Sequence, residues 1–383
     1  MPLIAAVLLF AACARDPGPA TPPPDPTPTP TATLPSPAQP ATSPPDAGSG
    51  PWYLSPTEDD NPRRLPLEVD TFGALHLDWN PAHDALAYVS GGDIWVWRDG
   101  TSTNLTATDD RLEGLPRWSP DGEWLAFASR AFEEGEAPHA LAGPQGSPSV
   151  LRVAAPDEGY VVLGEASLLW PPAWAPDSKR LAYVSDGDVV TVDRAGTILS
   201  RHAAGRLHLG SVFVGVAWSP TTDTLAVAYA EGADGAPVEG EPARMGYALI
   251  AENPITVTGE PALSGVMEWT SGYVPPAPIE WSPDGSRLLI TLPPVPASLA
   301  DDYPTGVWVV EPGPLRPPAS PLPPGPEPRP LPAIEPYQAV WSRDGRWIAV
   351  IEHGARRILV VEAATLAVVA QPGPSGGVEG IAW

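Results

Sequence analysis

Cysteine occurs once in the 383 residues, as Cys13. A single thiol excludes a disulfide framework and any zinc site built on several cysteines. Lysine also occurs once, as Lys179, and 21 basic residues face 46 acidic ones, a net charge of −25. So acidic a chain lacks the basic stripe that phosphate backbones require, which argues against nucleic-acid binding. Long apolar runs are short supply as well: Leu3 to Ala12 (LIAAVLLFAA) is ten residues long, about half of what a membrane-spanning helix needs. What the chain has instead is 55 prolines and 36 glycines. Both punctuate helices and strands, so many turns and little helix are expected.

The apolar run has the size of a signal-peptide core. It ends Leu9-Phe10-Ala11-Ala12-Cys13, which resembles a bacterial lipobox, with small residues before a cysteine that is lipidated and becomes the mature N-terminus. Residues 1–12 are read as a lipoprotein signal peptide and Cys13 as the lipidation site; an ordinary secretory signal is the alternative. Residues 13–51 are Pro- and Thr-rich (PATPPPDPTPTPTATLPSP). Nothing apolar recurs there to offset the entropy of ordering, so this lipid-anchored segment is expected to be a disordered tether with polyproline-II bias.

From residue 52 to 383 the sequence is periodic. Trp79-NPAHDA-Leu86, Trp118-SPDGEW-Leu125, Trp174-APDSKR-Leu181, Trp218-SPTTDT-Leu225, Trp281-SPDGSR-Leu288 and Trp341-SRDGRW-Ile348 share one pattern, with a large aliphatic seven residues after each Trp. Trp383 opens a further copy, so the chain is expected to stop in mid-repeat. Successive marker tryptophans lie 39 to 63 residues apart, a period typical of repeat folds whose units bury their faces against neighbours. Ser-Pro-Asp-Gly supplies a preset φ, a turn former and a residue free to take positive φ. It predicts a hairpin between segments such as Pro116-Arg117-Trp118 and Leu125-Ala126-Phe127. Third strands are expected at residues 93–97, 188–192, 306–310 and 358–361, and fourth strands at 104–106, 160–163, 255–258 and 366–369. Four strands per unit, repeated, make an all-β fold: a β-propeller of seven blades, with six as the alternative.

The W-S-P-D-G-x-x-L-A-[FY] hairpin followed by an I-W-V-W-x-x-G strand resembles the WD40-like repeat of TolB-type propellers. That resemblance covers about residues 70 to 383. It implies the fold and a scaffold role; the same repeat also builds the propellers of prolyl-oligopeptidase-type enzymes and of several bacterial lipoproteins. TolB itself carries an α/β domain ahead of its propeller, where this chain has the lipobox and tether.

Chemistry is sparse. Gly373-Pro374-Ser375-Gly376-Gly377 fits G-x-S-x-G, but no His follows it, so it reads as a turn and not a nucleophile elbow. His76, His83, His139, His202, His208 and His353 are scattered without metal-ligand spacing. The pairs Asp59-Asp60, Asp109-Asp110 and Asp301-Asp302 read as solvated loops, since no calcium-loop pattern is present. Asp121, Asp177, Asp284 and Asp344 belong to the hairpin turns. The Pro-rich stretch 312–336 reads as a solvated insert.

Long connections after second strands (129–148, 230–245, 291–305) and between units (165–172, 204–215, 260–278) should open on one face. Variable loops on a rigid scaffold carry function. Their aromatics Phe132, Trp170, Phe213, Trp269, Tyr273 and Tyr303 are the candidate binding face, since aromatics anchor interfaces. Trp79, Trp118, Trp174, Trp218, Trp281, Trp341 and Trp383 are structural markers. Strand alternation aims the residue before each marker at the opposite blade face, so Asp78 and Arg117 are expected to meet near the ring centre. No catalytic, cofactor or metal residue is assigned. The functional expectation is a monomeric, exported, lipid-anchored propeller binding an envelope protein or glycan without catalysis. A propeller-type hydrolase or lyase, or a small-ligand sensor, with its site in the central pocket is the alternative. A central channel ringed by His, Arg and Glu would favour that alternative, and an aromatic, charge-poor rim would favour binding.

Overall fold

The computed structural model describes residues 77–82, 84–131, 149–155, 159–166, 171–203, 211–231, 243–251, 256–257, 265–267, 279–292, 306–312, 329–330, 336–352 and 358–370. No helix occurs among them; the strands form six antiparallel sheets. Sheet one holds β1 (Asp78–Trp79), β2 (Ala85–Ser90), β3 (Asp93–Arg98) and β4 (Thr101–Asn104). Sheet two holds β5 (Arg111–Trp118), β6 (Leu125–Ala131), β7 (Ser149–Ala155) and β8 (Gly159–Ala166). Sheet three holds β9 (Ala173–Trp174), β10 (Arg180–Ser185), β11 (Asp188–Asp193) and β12 (Ile198–His202). Sheet four contains β13 (Ser211–Trp218), β14 (Thr224–Glu231), β15 (Ala243–Ala251), β16 (Thr256–Val257) and β17 (Gly265–Met267). Sheet five contains β18 (Ile279–Trp281), β19 (Leu288–Leu292), β20 (Gly306–Val310) and β21 (Arg329–Pro330). Sheet six contains β22 (Pro336–Trp341), β23 (Trp347–Glu352), β24 (Ile358–Glu362) and β25 (Val368–Ala370).

In every sheet the strands follow one another in chain order, except that β17 pairs with β15. The seven-residue interval is the hairpin register itself. Trp79 faces Leu86, Trp118 Leu125, Trp174 Leu181, Trp218 Leu225, Trp281 Leu288 and Trp341 Ile348. The turn is held by its own side chains. Ser282 Oγ accepts the Arg287 N–H at 2.9 Å and donates to Asp284 at 2.6 Å. Ser342 does the same with Trp347 and Asp344, and Ser119 with Trp124 and Asp121.

Apolar clusters join each sheet to the next. Trp118 and Phe127 of sheet two pack with Ala87 and Ile94 of sheet one. Leu151 and Val153 pack with Trp174 and Tyr183 of sheet three. A larger cluster runs from Val184 through Trp218 to Trp281, and Val307 and Val309 then meet Trp341 and Val350. Alternation along β10 divides the work: Leu181 and Tyr183 lie with sheet two, Ala182 and Val184 with sheet four. Four-stranded blades stacked face to face in chain order are propeller architecture.

Four expectations are corrected. β4 covers Thr101–Asn104, and Leu105 and Thr106 lie beyond it, where the Thr106 hydroxyl accepts the Ile94 N–H. β25 begins at Val368, because Leu366 takes a positive φ of 60° in the preceding turn. The Pro-rich insert is not all loop: Arg329–Pro330 pairs with Trp308 and Val309. The stretch 260–278 contributes β17, which continues the edge of β15 beyond the end of β16.

Candidate functional site

The residues that precede the six described markers are Asp78, Arg117, Ala173, Ala217, Glu280 and Val340, one from the first strand of each sheet. As expected, Arg117 reaches Asp78: Nη1 and Oδ1 are 3.4 Å apart. The other Asp78 oxygen accepts the Trp118 backbone N–H at 2.6 Å, so this carboxylate ties sheet one to sheet two twice. Glu280 repeats the device between sheets five and six, accepting the backbone N–H of Trp341. The indoles add a complementary bond: Trp174 Nε1 donates to the Arg117 carbonyl at 3.0 Å, and Trp281 Nε1 to the Ala217 carbonyl at 3.2 Å.

Glu280 was not singled out by the sequence, although it occupies the same column as Asp78 and Arg117. It lies where the charges of both act on it. Burial pushes its carboxyl up to about 7, and repulsion from Asp78 adds to this; Arg117 and the Trp341 N–H pull it down without winning. Burial likewise raises Asp78 to about 6 against the opposing pull of Arg117 and the Trp118 N–H. The Asp78 and Arg117 side chains still keep 25% and 30% of their surface accessible. The group is therefore recessed yet reached by water, which offsets part of the burial penalty.

A second polar cluster lies at the far end of β5. Glu113, fully buried, accepts the Thr108 and Ser129 hydroxyls at 2.9 Å each, while Arg111 Nε donates to Ser129 at 2.6 Å. Its backbone N–H bonds the Gly92 carbonyl of sheet one. Burial raises its pKa. The matching position in sheet four, five residues before the marker, is Phe213, whose N–H bonds Gly187 of sheet three.

That position overturns one candidate. Phe213 is 2% exposed within the core cluster of sheets three to five, not on a rim. The reason is that β13 starts at Ser211 and absorbs the loop in which Phe213 was placed, with a bulge beside it. Phe132, Trp170, Trp269, Tyr273 and Tyr303 lie outside the described residues, as do Cys13 and Trp383. The markers Trp118, Trp174, Trp218, Trp281 and Trp341 are buried, and Trp79 is half-buried.

The turn aspartates serve the hairpins, and the Ser282 hydroxyl holds Asp284 down to about 2. Asp109 and Asp110 are exposed. His202 is buried with Nε2 3.2 Å from Ser200 Oγ; the other histidines fall outside the described residues. Among the described residues no group of three or more His, Cys, Asp or Glu is placed to hold a metal.

No family model matches the chain. Short stretches resemble curated peptidases. The probable dipeptidyl peptidase 4 of Emericella nidulans is 35% identical over 81 residues, covering 16% of this chain and 10% of that protein. Dipeptidyl peptidase 4 of Arthroderma otae is 34% identical over 80 residues, with the same coverage of 16% and 10%. The chain thus spans about a tenth of the length of the curated relatives it matches. Among solved structures, Kuenenia stuttgartiensis hydrazine synthase aligns with a TM-score of 0.48 and 14% identity over 78% of this chain and 79% of that one. TolB from Acinetobacter baumannii aligns at 0.43 and 12% identity over 79% and 63%. An oligogalacturonate lyase in complex with manganese aligns at 0.47 and 14% identity over 72% of each chain.

Proposed function

We propose that this chain is a lipid-anchored β-propeller that acts at the bacterial envelope as a non-catalytic scaffold for a protein or glycan. Cys13 carries the anchor, residues 13–51 the tether, and the propeller is a closed ring of seven blades, with six as the alternative count. The charges of Asp78 and Arg117 act on Glu280 of sheet five, which supports closure, because an open stack would hold sheet five far from sheets one and two.

The observation that carries the scaffold reading is the bonding of the inner carboxylates. Asp78 and Glu280 each accept a backbone N–H from the next blade. They are thus engaged in joining blades, which supports a structural role for both. The centre nevertheless holds Arg and Glu, which is the charged lining that favours the enzyme or small-ligand reading. Glu280 near 7 suits proton transfer at neutral pH, and that supports keeping this second reading.

Two assays separate the readings. Wild type and Cys13→Ser are compared by detergent partitioning; release of the variant from membranes is expected, and identical partitioning removes the anchor. The purified chain is then offered peptide and oligosaccharide libraries. Turnover that disappears in Glu280→Gln replaces the scaffold with an enzyme, whereas no turnover together with retained binding to an envelope protein or glycan supports the scaffold.

A further inference from the structure

We propose that the junction of sheets one and two holds a site for a zwitterion, the neighbouring carboxylate and ammonium of an α-amino acid, with Arg117 taking the carboxylate and Asp78 the ammonium. The inference rests on the small-ligand reading of the ring centre and names the class of that ligand. Both groups are already pinned. Asp78 Oδ2 accepts the Trp118 N–H at 2.6 Å, and the Arg117 carbonyl accepts the Trp174 indole N–H at 3.0 Å. The atoms the pair turn toward each other are under-used by comparison. Asp78 Oδ1 and Arg117 Nη1 stand 3.4 Å apart, well beyond the ~2.7–2.9 Å of a tight charged hydrogen bond. Among the described residues that long contact is the only hydrogen bond of the Arg117 guanidinium, whose flat fork of N–H donors suits a carboxylate. A pair held in place yet under-bonded is preorganised, which lowers the ordering cost of binding.

Water reaches this place, so a ligand can replace it. Along the first strands Asp78, Arg117, Ala173 and Ala217 are half-buried, while the residue before each of them is buried. Charge decides the class of ligand. A lone anion drawn to Arg117 is repelled by Asp78, and a lone cation drawn to Asp78 is repelled by Arg117. A molecule with both charges side by side meets an opposite charge at each end, the complementarity that confers specificity. Next in line after Arg117 the accessible column continues as Ala173 and Ala217, held there by the Trp174 bond and by the packing of β9 on β13. Two uncharged methyl groups favour an apolar side chain on the amino acid.

The test is isothermal titration calorimetry of the full chain with L-leucine and two analogues that each lack one charge: isocaproate, without the ammonium, and isoamylamine, without the carboxylate. L-Leucine is expected to bind, and each analogue to bind at least about tenfold more weakly, the loss of one charged hydrogen-bond partner. Asp78→Asn, whose amide oxygen can still accept the Trp118 N–H, is expected to lose the preference for leucine over isocaproate. Arg117→Gln is expected to lose the preference for leucine over isoamylamine. No binding of leucine, equal affinity for all three, or preferences untouched by both variants overturns the proposal. Should Arg117→Gln fail to fold, Arg117→Lys keeps the charge but not the fork and is expected to bind leucine more weakly than wild type; unchanged affinity overturns the proposal. Binding of an uncharged sugar that the Arg117 variants abolish would overturn the amino-acid class and leave the small-ligand reading in place.

Discussion

At the scale of single residues, position outweighs type. Gly285 and Gly91 both have positive φ, 69° and 61°. A Cβ on Gly285 would stand 2.3 Å from Thr221 Oγ1 in the neighbouring turn, whereas one on Gly91 meets nothing within 4 Å. Gly91→Ala should therefore cost only the left-handed backbone penalty, ~1–2 kcal/mol. Gly285→Ala adds a clash worth ~1–3 kcal/mol more. Urea unfolding of both variants checks the order, and Thr221→Ala in the Gly285→Ala background should recover part of the difference. Phe213 belongs to the same lesson. Being core, Phe213→Ala should cost ~3–5 kcal/mol, as should Trp281→Ala, which also vacates the bond to Ala217. Comparable loss for both variants in urea is expected; a nearly unchanged midpoint for Phe213→Ala would return it to the surface.

At the scale of elements, the hairpin turns clamp successive blades in two chemically distinct ways. Arg180 lies over the Trp218 ring at 5.0 Å and pairs with Asp177 at 2.7 Å and Asp223 at 2.8 Å. Arg287 lies over the Trp341 ring at the same distance but donates to the carbonyls of Ala363 and Gly345. Ion pairs with exposed acids contribute ~0–1 kcal/mol and are screened by salt. Bonds from a charged donor to part-buried carbonyls contribute ~1.5–3 kcal/mol and are screened less. Arg287→Ala should thus lower the melting temperature more than Arg180→Ala. In 1 M salt the Arg180→Ala deficit should shrink while the Arg287→Ala deficit persists.

At the scale of the molecule, the inner acids set how stability follows pH. Asp78 and Glu280 hold protons more tightly folded than unfolded, at about 6 and about 7. Between roughly pH 4 and 7 the native state is therefore the more protonated one, and stability falls as pH rises through that window. Asp284, lowered to about 2, and the lowered Asp177 and Asp344 act oppositely: their contribution is present above about pH 4 and is lost as pH falls through their folded values. The melting temperature should peak at pH ~4 and decline toward pH ~7. Water at the accessible part of Asp78 and Arg117 limits the effect to ~1–3 kcal/mol. Asp78→Asn or Glu280→Gln should flatten the decline; an unchanged slope would show that general self-repulsion of the acidic surface causes it.

Much of the blade was legible in the linear order of residues. The seven-residue interval from Trp to aliphatic is the pairing Trp118–Leu125, and Ser-Pro-Asp-Gly is the turn between them. These features act over a few residues, where backbone sterics and side-chain bonds to nearby N–H groups decide the outcome. Even the contact between Asp78 and Arg117 followed from alternation on adjacent first strands. Strand ends did not follow so simply: β13 reaches back to Ser211 because packing between sheets three and four, not local propensity, buries Phe213. Glu280 shows the remaining limit. Its column could be read from the repeat, yet its nearness to residues 78 and 117 depends on how five sheets stack. Burial, and with it the raised carboxyl, is a property of that stack: no local pattern states how far water is excluded from a point where distant strands converge.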